Sequence, residues 1–300
     1  MLGVSTRKVD RLVRSLNVDG ISKSQVSRIA GELDESVKAF RERPLDGGPY
    51  RYIWLDATVL KAREGGRVVN VATLIAVGVN AEGKREILGI DVNTTETGAG
   101  WLAFIRGLVA RGLEGVELAI SDAHSGLKDA IASALPGASW QRCRTHFMRN
   151  LLTRVPKKAH GAVATIVRSI FAQPDTDAVH SQFCRVVDQL RDKFDKAATC
   201  LEEAADDLLA FAAFPKAHWK QIWSNNPQER LNKEIKRRTD VVGIFPNREA
   251  IIRLVGAVLA EQHDEWIVAR RYMRVEVDAK PIDVPTVLPI EREVSITDAA

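Results

Sequence analysis

Three acids in this chain occupy places where an ordinary structural carboxylate is awkward. Asp56 lies inside Arg51-Tyr52-Ile53-Trp54-Leu55-Asp56-Ala57-Thr58, an apolar, aromatic, β-prone run. An unpaired carboxylate taken out of water there is costly, so Asp56 either meets solvent or binds something positive. Asp122 ends a second run of the same kind, Glu117-Leu118-Ala119-Ile120-Ser121-Asp122. Acids at the ends of neighbouring strands can converge on metal, and a pair of magnesium ions needs a third oxygen ligand. The best candidate lies in Ser224-Asn225-Asn226-Pro227-Gln228-Glu229-Arg230-Leu231-Asn232-Lys233-Glu234. Asn226 followed by Pro227 reads as an N-cap with proline at the first helical position, which puts Glu229 in the first turn. The helix dipole favours a carboxylate there. Glu229 and Asn232 share a helix face and Glu234 lies on another, so Glu229 is preferred to Glu234 as the third ligand. Taken singly, each acid has a plainer reading as a turn, cap or dipole residue.

The elements that must position these acids follow from hydrophobic period and turn chemistry. Tyr52–Thr58, Val68–Val79 and Arg85–Val92 read as three consecutive antiparallel strands, separated by Glu64-Gly65-Gly66 and Asn80-Ala81-Glu82-Gly83. Gly98–Arg111 reads as an amphipathic helix, Val116–Ser121 as a strand, Ser125–Leu135 as a helix and Ala138–Gln141 as a short fifth strand. From Cys143 onward the period is helical, with candidates at 144–155, 160–172, 176–194, 196–213, 227–239 and 247–272. The expected result is a mixed α/β sheet with helices packed on it. Ahead of it, residues 1–45 read as two helices joined by Asn17-Val18-Asp19-Gly20, the second capped by Ser22 or Ser24. Lys23, Gln25 and Arg28 crowd the first turns of that second helix, as in a helix-turn-helix that meets a major groove. Leu45-Asp46-Gly47-Gly48-Pro49 reads as the linker, and residues 274–300, rich in proline, as an extended tail.

The formal net charge is only +4, but its distribution is uneven. Between Ala130 and Pro174 there is no acid, while Arg142, Arg144, Arg149, Arg154, Lys157, Lys158 and Arg168 all fall there. A stretch of one sign suggests a surface for a polyanion. Arg230, Lys233, Lys236 and Arg237 crowd the glutamate helix, which suits phosphate contact beside a metal site. The three cysteines are too few and too irregular for a disulfide framework. No apolar run is long enough for a membrane span and no signal peptide is seen, so the expectation is a soluble, intracellular protein.

These segments together resemble the Mutator-type insertion-sequence transposases of bacteria, of the DDE class with a ribonuclease-H-like core. The resemblance runs from about Val4 to Met273. Trp54-Leu55-Asp56-Ala57-Thr58 resembles the family's first catalytic strand and Ser121-Asp122-Ala123-His124-Ser125-Gly126-Leu127 its second catalytic loop. Asn225 to Thr239 resembles its catalytic glutamate helix. Asp122 follows Asp56 by 66 residues and Glu229 follows Asp122 by 107, and the family inserts helices into that second interval. The implied division is 1–45 helix-turn-helix, 46–146 first part of the core, 147–222 helical insertion, 223–273 end of the core and 274–300 tail.

The resemblance implies that Asp56, Asp122 and Glu229 hold two magnesium ions, with manganese as a substitute, for strand cleavage and strand transfer. Its partners would be transposon-end and target DNA, engaged by a homodimer or higher oligomer. Cys143-Arg144-Thr145-His146 resembles the family's Cys-x-x-His element. One Cys and one His are only half a zinc site, so zinc is not expected. Cys143 and His146 are expected to shape the wall of the site, with His124 and Asn232 as further supports. The family carries a further segment ahead of the helix-turn-helix, so the chain reads as N-terminally truncated. Two other readings compete: a catalytically idle DNA-binding relic, and another ribonuclease-H-like nuclease.

Overall fold

The computed structural model describes residues 22–275. The first helix of the predicted helical pair, the side chain of Lys23 and the tail beyond residue 275 lie outside the described residues. Within them a five-stranded mixed sheet has the order β3-β2-β1-β4-β5. The strands are β1 (Tyr52–Glu64), β2 (Arg67–Val79), β3 (Arg85–Asn93), β4 (Leu118–Ser121) and β5 (Ser139–Arg142). β1, β2 and β3 form an antiparallel meander, while β4 runs parallel to β1, and β5 parallel to β4. The β1–β2 hairpin closes through Gly65 and Gly66 at φ +53° and +78°. Both turn positions are left-handed, the geometry that a tight hairpin matched to strand twist requires. β1 and β2 therefore run further than the apolar pattern alone indicates, because the glycine pair carries pairing out to Glu64 and Arg67.

Alternation along β1 divides the core. Ile53 and Leu55 face the same side as Leu74, Ala76 and Leu88, where they meet Trp101, Phe104, Ile105 and Leu108 of α2 (Gly98–Ala110). Leu127 and Ile131 of α3 (Ser125–Ala134) complete that layer. Tyr52 and Trp54 face the other side, with Ile75, Val77 and the helical remainder of the chain. Both faces of the sheet are covered, which is why the C-terminal part of β2 reads as an unbroken apolar run.

Between β5 and the glutamate helix come α4 (Arg144–Leu152), α5 (His160–Ile170), α6 (Thr176–Glu202), α7 (Ala205–Leu209) and α8 (Trp219–Ile222). The sequence predicts a break near residue 195, and Phe194 there leaves helical geometry, yet the helix resumes and runs to Glu202. The expected helix 196–213 instead splits into the end of α6, α7 and a 3-10 turn. The glutamate helix is α9 (Asn226–Thr239), and α10 (Arg248–Val268) closes the fold against β3.

The helix preceding the sheet, α1 (Lys23–Glu42), starts with a capping box between Ser22 and Gln25. Among the described residues it packs chiefly through its C-terminal half, where Val37 is buried and Asp34 pairs with Arg253 of α10. Its N-terminal half, including Ile29, is exposed. The two helices touch at Gly256, where a Cβ would come within 2.4 Å of Val37 Cγ1. Gly256→Val should therefore cost about 1–3 kcal/mol through overpacking. Thermal melting checks this, and Val37→Ala in the same chain should recover part of the loss.

His263 of α10 is buried, accepts the Ile87 N–H at Nδ1 (3.3 Å) and meets Phe40 edge-on. Burial first, then Arg43, lowers its pKa below the ordinary 6.5. Because the folded value is the lower one, its contribution to stability is full above about pH 6.5 and is lost as pH falls toward the folded value. His263→Gln keeps an acceptor without titrating, so its melting temperature should fall less than that of the wild type between about pH 7 and pH 5.5. Equal slopes would refute this assignment.

Candidate metal-assisted active site

Trp54 of β1 pairs with Ile120 of β4 in parallel register, and two residues further along each strand stands an acid. Asp56 and Asp122 are thereby brought to the same end of two neighbouring strands. Asp56 is not at the end of its own strand, since β1 continues to Glu64. It is half-open because β4 stops at Ser121 and leaves β1 uncovered beyond that point. Asp56 Oδ1 accepts from the N–H of Ala57 (3.0 Å) and Asp122 Oδ1 from that of Ala123 (2.7 Å). Each carboxylate is thus anchored through one oxygen by the following residue.

The third acid arrives on α9, which is pinned to the sheet at both ends. At its start the Asn225 Nδ2 donates to Leu55 O (3.2 Å), Gln228 Nε2 to Ile75 O (2.9 Å) and Trp54 Nε1 to Ser224 O (3.1 Å). Beyond its end, Phe245 exchanges backbone hydrogen bonds with Lys61 and Arg63 of β1. The N-cap is Asn225, not Asn226, and its side chain makes no capping bond. It is spent on β1 instead, one residue from Asp56. Asn232 Nδ2 then reaches Asp56 Oδ2 at 2.7 Å. Glu229, one turn earlier on the same face, meets Arg149 of α4, with Oε1 3.8 Å from Nη2. His146 of α4 in turn stands 3.7 Å from Asp122. Asp56 thus pairs with Asn232, Glu229 with Arg149 and Asp122 with His146, three pairs carried by β1, α9, α4 and the end of β4.

Burial raises the Asp56 pKa to about 6, opposed by His146, the Ala57 N–H and Asn232. His146 is pushed up to about 9, first by its contact with the Cys143 sulfur, then by the charges of Asp122 and Asp56. Cys143 is fully buried and its Sγ accepts from the N–H of Asn225 (3.3 Å), so it links the start of α4 to the start of α9. Several buried acceptors here have no hydrogen-bond partner among the described residues, among them Glu229 Oε1, Asn232 Oδ1 and Asn225 Oδ1. Carboxylate and amide oxygens are hard donors of the kind that oxygen-preferring divalent cations take. Among the described residues no three His, Cys, Asp or Glu side chains form a ready-made metal cage.

The other candidate residues fall in different surroundings. Glu234 is held by Arg237 and Arg238 on the outer side of α9, and these bring its pKa down to about 2. His124 leads into α3, and its Nδ1 is buried without a partner. Arg142 lies over the Phe147 ring. Arg230 lines a separate cleft of about 430 Å³ with Arg85, Glu234, Glu261 and Trp266. Lys233 and Lys236 are exposed, Arg28 is exposed beside Glu32, and Gln25 is committed to its capping box. Arg144 turns away from the acids. Ser224, Asn225 and Gln228 are buried positioning residues that the pattern of the sequence did not single out; the signal available was a polar run beside two tryptophans.

Residues 1–269 match the family model described as Transposase, Mutator family. The chain is 64% identical over 277 residues to a Mycobacterium tuberculosis transposase for insertion sequence element IS1081, covering 92% of this chain and 67% of that one. It is 40% identical over 274 residues to the transposase for ISRM5 of Rhizobium meliloti, covering 91% and 69%. For the transposase of IS256 in Tn4001 from Staphylococcus aureus the identity is 38% over 271 residues, covering 90% and 69%. The chain spans about two thirds of the length of these relatives. Among solved structures, the Drosophila P element transposase strand transfer complex aligns with 80% of this chain and 85% of its own, with 13% identity and a TM-score of 0.45.

Proposed function

Since the chain belongs to the Mutator family of transposases, we propose that it carries out DNA transposition by DDE chemistry, with Asp56, Asp122 and Glu229 as its metal-holding acids. The observation that carries this reading is the parallel register of β1 with β4, which sets two acids side by side, with α9 laid across them through the Asn232–Asp56 hydrogen bond. The strand order, three antiparallel strands followed by two parallel ones, supports a ribonuclease-H-like core, with α4 to α8 as its helical insertion. Magnesium, with manganese as a substitute, would be held by the three carboxylates and would supply charge for in-line displacement at a DNA phosphorus.

The protein's own groups do the rest. Asn232 fixes the orientation of Asp56. His146 faces the second oxygen of Asp122 at 3.7 Å. Arg149, 3.8 Å from Glu229 Oε1, steadies that acid. Glu229 is the third ligand because Glu234 is occupied by two arginines on the outer face. Exposed cations of α4 and α9 face the DNA backbone, and α1 belongs to a helix-turn-helix that contacts transposon ends. The working form is a homodimer or larger assembly on DNA in the bacterial cytoplasm; among the described residues no helix is long and apolar enough to cross a membrane. The test is cleavage of labelled insertion-sequence ends in magnesium. Cleavage that survives neutralisation of any one of the three acids would remove that acid from the site.

A further inference from the structure

On the side of α4 away from the acids lies a second cavity of about 430 Å³, lined by Arg144, Arg168, Lys216 and Lys220 around Phe171 and Trp223. No acid lines it. Its four cations make no ion pair and no side-chain hydrogen bond among the described residues, whereas the arginines of the equally large cleft beside α10 are interleaved with Glu234, Glu261 and Glu265. Converging like charges oppose one another, and a fold retains such an arrangement at a cost unless an anion offsets it.

Arg144 is the preformed part. Its guanidinium lies 4.2 Å from the Trp223 ring centre and 4.9 Å from that of Phe171, so two aromatic rings hold its plane. Burial and the neighbouring Arg168 both work against its charge. An arginine oriented by rings and short of water offers its donor edge as a fork that matches two phosphate oxygens. Arg168, Lys216 and Lys220 are exposed at the mouth, which suits an extended polyanion lying across the cavity.

The position relative to the acids follows from helix geometry. Arg144 and His146 stand two apart on α4, about 200° around the axis, so the body of the helix divides the cavity from the acid cleft. The Arg144 N–H donates to Trp223 O at 2.9 Å, and Asn225, two residues on, is bonded to Cys143. The wall of the cavity and the mount of the glutamate helix are therefore one piece of backbone.

We infer that this cavity is a backbone-phosphate station for a DNA strand that crosses the start of α4 from the acid cleft, with Arg144 as its oriented fork and Arg168, Lys216 and Lys220 as its rim. The inference rests on the DNA reading above and adds residues that lie outside the acid site.

The test measures affinity of the full chain for a labelled insertion-sequence end, and its salt dependence, for the wild type, Arg168→Glu/Lys220→Glu and a control, Lys193→Glu/Lys196→Glu on α6. The targeted side chains are exposed and their removal relieves repulsion, so thermal melting should be no lower than that of the wild type. The cavity pair should weaken binding at least about tenfold near 0.1 M salt and lower the slope of log affinity against log salt by about 2, as expected for two lost phosphate contacts. The control should change neither. Equal affinity and slope for the wild type and the cavity pair overturn the inference, and so does an equal loss in the control. A wild type that binds no DNA removes the functional reading itself. Pyrophosphate serves as the small-phosphate probe. If it binds tightly in a manner abolished by the cavity pair while DNA affinity is unchanged, the cavity belongs to a free phosphate compound and the strand assignment falls.

Discussion

Asp122→Asn is expected to lower strand cleavage by at least about a thousandfold, because metal held between carboxylates supplies several kcal/mol of transition-state stabilisation and each 1.4 kcal/mol or so is a factor of ten. Asp56→Asn and Glu229→Gln should do the same. Their stabilities should differ, which separates chemistry from folding. Asp56 is half-buried, and burial outweighs the help its carboxylate receives from His146, the Ala57 N–H and Asn232, so Asp56→Asn without metal should melt no lower than the wild type. Added magnesium should raise the melting temperature of the wild type through linkage and leave Asp56→Asn unmoved. Measuring cleavage and melting on the same samples checks both halves. A variant that lost cleavage but kept the magnesium response would hold the metal elsewhere.

The second large effect is expected from a residue that touches no substrate. Asn225 joins α9 to Leu55 O, next to Asp56, and receives the thiol link from α4 through its own N–H. Asn225→Ala leaves Leu55 O without that donor and should cost about 1–3 kcal/mol of stability. The loss in cleavage should be greater than that stability implies, about a hundredfold in kcat, since a displacement of about 1 Å in a reacting group costs that much. Gln228→Ala, which frees the same turn from Ile75 O, should behave alike. Both variants should keep DNA affinity. A parallel fall in affinity and cleavage would instead mean that α9 is a binding element and not a mount for Glu229.

The acids and their carriers were legible because each is a local anomaly. A carboxylate inside Tyr52–Thr58 contradicts the apolar pattern around it, and one at the end of Glu117–Ser121 repeats the contradiction. The hairpin glycines and the period of α2 and α3 are likewise written in neighbouring residues. The mounting of the third acid was not. Asn225 and Asn226 look equivalent in sequence, and a proline after the second one favours the wrong cap. Burial decides it: the Asn225 side chain is fully enclosed and meets a strand 170 residues earlier. The basic stretch after Ala130 was equally visible, yet its residues separate onto two sides of α4, with Arg149 toward Glu229 and Arg144 toward Trp223.

By itself, then, the sequence determined the family and most of the strand and helix carriers, and it singled out the acids proposed for the chemistry, since those depend on residue type and short-range period. Only the tertiary structure decided which polar groups hold the carriers together and which cations stand unpaired. Those outcomes depend on hydrogen bonds and charges between residues far apart in the chain, such as Asn232 with Asp56 and Arg168 with Arg144. No local pattern encodes such pairs. They arise when the sheet register and the packing of α4 and α9 bring the groups within reach.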